Sequence, residues 1–178
     1  MKKIILVLLL VVFGFLFKVD AQAASLQLNV AATPKVEYFL PYPGILPDHL
    51  LYPLKTLRDK IMDFFIKDPL KKAEFELLTA DKRLGAGKVL MEGGKPELGE
   101  TTISKGEKYL EQAILNLEKA KNGGEKTQEA LAKMDKATQK HLEVIAELIV
   151  KAQEPTKTNL IKTMEGTQKI YQKILEMK

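Results

Sequence analysis

Two histidines, two one-turn pairs of carboxylates and four charges beside apolar stripes carry what chemistry this chain could do. His49 sits in Pro47-Asp48-His49, where a turn or cap role is ordinary. His141 lies near an apolar helical stripe, seven residues after Met134 and four before Ile145. An imidazole there could ligate a metal or a haem, with Met62, Met91, Met134 or Met164 as a second ligand. No His-Glu-x-x-His or Glu-x-x-His pattern accompanies it. The commoner use of such a residue is a hydrogen bond to a neighbouring carboxylate at the edge of the core, and that is the expectation here.

Glu107/Glu111 and Glu143/Glu147 each put two carboxylates on one helix face, as an acid–base couple or a cation site requires. Lysines beside both pairs point to a solvated face instead. Arg58, Glu74, Asp81 and Arg83 fall at or beside the stripes of the first two helices. Antiparallel packing could bring Arg58 to Glu74 or Asp81, in a pair that specifies register more than it stabilises. There is no Gly-x-Ser-x-Gly elbow, no Ser/Lys motif of the penicillin-binding type, and no strand ahead of either Gly-Gly pair to make a phosphate loop. The absence of cysteine excludes disulfides, thiolate metal sites, thiol catalysis and covalent haem attachment. The sequence therefore assigns no catalytic, cofactor-binding or metal-ligating residue and calls for no cofactor. An enzyme is not expected.

The elements that carry these groups are helices behind a distinctive start. Met1-Lys2-Lys3, the apolar run Ile4 to Phe17 and Ala21-Gln22-Ala23 have the order of a secretory signal peptide, with cleavage expected after Ala23. The run is shorter than the roughly 20 residues of a membrane-spanning helix. Residues 24–52 form an expected extended arm, because Pro34, Pro41, Pro43 and Pro47 each remove a backbone donor and fix φ. From Pro53 to Lys178 the apolar period becomes helical. The spacing predicts helices over about 53–66, 69–92, 104–120, 125–153 and 158–177. Asp68-Pro69 is a cap-and-start signal, and Ser104 to Glu107 fits a capping box. Gly85-Ala86-Gly87 interrupts the second helix, where close approach of a neighbour is the favoured reason. Short turns between such helices favour an all-α, elongated antiparallel bundle of about five helices.

Without residues 1–23 the chain keeps 155 residues, enough for one domain, with 25 basic and 22 acidic side chains. The signs are interleaved, so no basic stripe favours nucleic acid.

The run Leu40 to Asp48, then Leu51-Tyr52-Pro53-Leu54-Lys55 and Arg58-Asp59-Lys60-Ile61, resembles the opening of a bacterial family, domain of unknown function 5667. Asp68 to Glu74 and Ala80 to Leu84 resemble the block that follows. The match is good over residues 38–92 and extends to about 120. The resemblance implies an exported or membrane-anchored helical domain and carries no catalytic residue. In some actinobacterial relatives the Leu-Tyr-Pro-x-Lys element follows a single membrane helix, whereas this chain has a cleavable-looking signal. The expectation is an exported, non-catalytic interaction or structural module of the cell envelope. Its expected partner is an envelope protein, and membrane contact is expected only through an uncleaved signal. A bundle binding a small ligand, metal or haem, and an envelope chaperone, are the alternatives.

Overall fold

Proline and glycine set the helix ends. The computed structural model describes residues 35–178, which contain five helices: α1 Tyr52–Phe65, α2 Pro69–Glu92, α3 Pro96–Asn122, α4 Gln128–Lys151 and α5 Thr156–Glu176. The described residues contain no strand. Asp68 caps α2 by accepting the Lys71 amide at 2.9 Å, with Pro69 in the first turn where its missing N–H costs nothing. Helices α2 and α3 stop alike. Gly94 and Gly124 take positive φ, and the next amides, Lys95 and Glu125, reach back to Leu90 and Ala120 at 2.9 and 3.0 Å.

The start of α3 differs from the sequence reading. The helix expected from about residue 104 opens eight residues earlier, at Pro96, and runs on through Gly99 and Gly106. Ser104 is mid-helix, so there is no capping box. The reason is tertiary. A Cβ on Gly99 would lie 2.7 Å from the Gly87 carbonyl oxygen, one on Gly87 would meet Ile103 at 2.3 Å, and one on Gly106 would meet Arg83 at 3.0 Å. Backbone approach along this seam offsets the low helix propensity of glycine. Gly87 thus confirms close packing as the cause of the interruption, whereas Gly85 faces only the Pro41 carbonyl at 3.8 Å.

Contacts across the bundle give its topology. Glu76 meets Asn116, and Gly87 meets Gly99, so α2 and α3 run antiparallel. Asp135 near the start of α4 meets Lys178 just beyond α5, so that pair is antiparallel too. The two hairpins lie side by side in parallel register: Asp81 and Lys88 of α2 reach His141 and Glu147 of α4, while Glu107 of α3 reaches Thr167 of α5. The domain is an all-α antiparallel bundle, with helices of about 30–40 Å at 1.5 Å per residue.

Its core has two apolar clusters. One gathers Leu77, Leu110, Ile114, Leu117, Met134 and Ile174; the other gathers Leu84, Ile103, Ile145, Leu148 and Leu160. On every bundle helix a polar residue falls between the two sets: Asp81, Glu107, His141 and Thr167.

Helix α1 stands outside this arrangement. It buries no side chain, and Lys72 of α2 donates to the Asp63 carbonyl near its end. The chain before it is irregular and tied down. The Val36 amide donates to Glu143 at 2.8 Å, and the Lys55 ammonium donates to the Pro43 and Ile45 carbonyls at 2.7 and 3.1 Å, around the positive-φ Gly44. Asp48 pairs with Lys95 at 2.6 Å. The expected signal at 1–23 and residues 24–34 of the expected arm lie outside the described residues. Among the described residues no helix is long and apolar enough to cross a membrane.

Candidate functional site

The polar layer is built by one residue from each bundle helix. His141 is fully buried, with Nδ1 2.7 Å from Glu107 Oε1 and Nε2 2.9 Å from Asp81 Oδ1. Both ring nitrogens can donate at once only in the imidazolium. Burial alone would lower its pKa, but the charge of Glu107 and the bonds to both carboxylates outweigh burial and raise it to about 9. The remaining carboxylate oxygens are also engaged. Asp81 Oδ2 accepts the Tyr38 hydroxyl at 2.5 Å, and Glu107 Oε2 accepts the Thr167 hydroxyl at 2.8 Å. Burial first, and Asp81 second, push the Tyr38 phenol far above its ordinary range, so it stays a donor.

Such a layer has little chemistry left to offer. Both imidazole nitrogens and all four carboxylate oxygens have protein partners. Among the described residues no group of three or more His, Asp and Glu is arranged to hold a metal ion. Sliding α2, α3 or α4 would strand a buried charge, and sliding α5 would take the Thr167 hydroxyl from Glu107.

The sequence placed His141 beside a carboxylate, and the structure agrees, though the ring is at the centre of the core rather than its edge. Three other expectations are corrected. Arg58 pairs with its neighbour Asp59 at 2.7 Å in solvent, because α1 is not packed deeply enough to bring it to Asp81, and Glu74 is exposed. Glu107 is not part of a solvated pair: it turns into the core, while Glu111 stays exposed. Glu143 is buried too, taking the Val36 amide and the Lys140 ammonium, while Glu147 pairs with Lys88 at the surface. His49 has the ordinary turn role, its Nδ1 accepting the Leu51 amide at 3.0 Å. Sequence reasoning missed Tyr38, Thr167 and the buried Glu76–Asn116 bond of 2.7 Å. Their only signal was a polar residue at a core-facing helical spacing, which Glu76 and Thr167 share.

The surface holds more open groups. Leu54, Leu57, Ile61, Phe64 and Phe65 of α1 are exposed, Phe64 and Phe65 by about two thirds. Beside α1 a cleft of about 480 Å³ opens between α1, α2 and α3, lined by Lys60, Arg83, Lys105, Lys108, Thr101 and Tyr109 among others. A second cleft of about 240 Å³ lies between α3 and α5, with Lys108, Lys162, Lys169 and Lys173 around Ile114 and Ile170.

A family model described as Domain of unknown function (DUF5667) matches residues 44–176, the greater part of the chain. The chain belongs to this family. Within the DUF5667 match fall all five helices, the Lys55–Ile45 bond and the Asp81–His141–Glu107 layer, whereas Pro43, the other acceptor of Lys55, and Tyr38, which completes the layer, precede it. No curated protein and no solved structure matches the chain.

Proposed function

We propose that this DUF5667 protein is an exported, non-catalytic module that docks another protein of the cell envelope through α1. The observation that carries this reading is a helix that buries no side chain of its own while presenting Leu54, Leu57, Ile61 and Phe64 at three- and four-residue spacing. That spacing is an anchor row of the kind a partner helix or groove takes. Contiguous exposed apolar surface of this kind marks an interaction site more often than an accident of folding. The full engagement of His141, Asp81 and Glu107 supports a structural rather than catalytic or ligand-holding role for the one buried charged cluster of the bundle centre. The Lys-Lys start, the apolar run and Ala21-Gln22-Ala23 support export.

A photo-crosslinking residue at Leu57, with a second at Lys169 as a remote control, tests this in the native envelope using the full chain. A single saturable protein adduct from position 57, absent from position 169 and lost with Phe64→Asp, is the expected result. Adducts equally abundant at both positions would overturn it. An envelope chaperone would use the same face, and adducts spread over many unrelated proteins would favour that reading.

A further inference from the structure

The cleft between α1, α2 and α3 has a composition that the bundle does not need for its own stability. Four cations line it, Lys60 from α1, Arg83 from α2, and Lys105 and Lys108 from α3, and none of its lining residues is acidic. Among the described residues none of the four makes an ion pair; the surface pairs go to other lysines and to Arg58. Like charges gathered from three helices repel one another, so a folded protein gains nothing from collecting them unless an anion completes the set.

The cleft is also shaped for recognition. The Arg83 guanidinium lies over the Tyr109 ring, 4.8 Å from its centroid, which fixes a planar fork of donors in a half-buried position. Thr101 adds a hydroxyl, and Leu98 and Pro47 supply apolar surface at the margin. Next to the cleft, burial lowers the pKa of Lys55, and Lys82, Arg83 and Arg58 lower it further, against the opposing pull of Asp59.

We propose that this cleft binds a phosphate ester, its oxygens held by Arg83, Lys105 and Lys108, with Lys60 closing from α1. Cations on three sides of one cleft suit the oxygens of a tetrahedral oxyanion, which point in different directions, better than the two coplanar oxygens of a carboxylate. A cavity of about 480 Å³ holds a small headgroup or sugar phosphate and is far too small for a protein helix. This site rests on different residues from the α1 apolar row, so it stands or falls apart from the protein-docking reading.

Phosphate esters reach an exported protein as lipid headgroups or as soluble esters, and the test separates them. The full chain in neutral detergent is titrated by calorimetry with glycerol 1-phosphate and with the water-soluble lipid dihexanoyl phosphatidylglycerol. Dihexanoyl phosphatidylcholine serves as the zwitterionic control. Both are repeated on Lys105→Gln/Lys108→Gln, two exposed positions whose change leaves the core untouched, and on Arg83→Gln. Saturable binding of glycerol 1-phosphate, weakened about tenfold or more by either variant, supports a soluble ester. Binding of the anionic lipid alone, weakened in the same way, supports a headgroup. No binding of either, equal binding of the zwitterionic lipid, or binding that both variants leave unchanged would overturn the site.

Discussion

Raising the pH from about 6 to about 9 should loosen this fold through His141. The imidazole pKa is about 9 in the folded chain against an ordinary 6.5. A group whose folded pKa lies above its unfolded value contributes stability that is whole below about pH 6.5 and is lost as pH rises through about 9. At 1.36 kcal/mol per pKa unit the difference amounts to about 3 kcal/mol, or about 6–12 °C in melting temperature for a domain of this size. Urea denaturation of the full chain between about pH 6 and pH 9 reads the loss directly. His141→Gln removes the titrating group and should flatten that slope, although the variant starts less stable because Asp81 and Glu107 lose their cation. Lys55 is the useful control. Burial holds its pKa below the usual lysine range, so its own contribution grows with pH, in the opposite direction, and the variant leaves it in place. With only two histidines in the chain, NMR of the imidazole signals gives the His141 midpoint independently. A stability that is flat or rising over the window in the parent chain, or a His141 midpoint at or below the ordinary value, would refute the charged layer.

Three further substitutions probe the same architecture. Asp81→Ala strands both His141 Nε2 and the Tyr38 hydroxyl, so a loss of about 3–5 kcal/mol is expected in urea; an unchanged melting temperature would count against the layer. Gly87→Ala puts a methyl 2.3 Å from Ile103 and 2.7 Å from the Gly99 carbonyl, a backbone atom that cannot swing aside, and should cost about 1–3 kcal/mol. Gly166→Ala, with nothing within 4 Å of the new carbon, should instead stabilise by about 0.4–1 kcal/mol. The opposite signs of the two glycine changes, compared by thermal melting, are the check.

The helices were legible because they rest on local signals. Asp68-Pro69 and the paired Gly-Gly stops act within a few residues, and α2 runs over the same 69–92 that its period indicates. The start of α3 was not legible, because Gly99 and Gly106 are helical only by virtue of what α2 places against them. The same limit governed the charges. Glu107 and Glu111 look alike at one-turn spacing, and only the third dimension turns one inward to His141 and leaves the other in water. His141 could be read as a hydrogen-bonded core histidine, since a lone imidazole on an apolar stripe requires a partner. Its two partners, 34 and 60 residues away, could not.

The position of α1 follows from contacts at its ends rather than along its length. Lys55 holds the turn at Gly44 through two carbonyls, Asp48 ties the preceding segment to Lys95 at the α2–α3 turn, and Lys72 meets Asp63 before the Asp68 cap begins the bundle. The chain before α1 is anchored in turn by Tyr38 to the buried layer. A helix fixed in this way can expose an apolar row without drifting, and a partner that binds it need not supply the free energy of ordering it. The Leu40-to-Lys55 blocks gain a physical reading from the same contacts, for Lys55 is the residue that closes the proline-rich turn. Replacing it would free α1 at its start while leaving the two core clusters intact. That separation explains how one domain can be held through a buried charged layer and still leave the apolar row of α1 exposed.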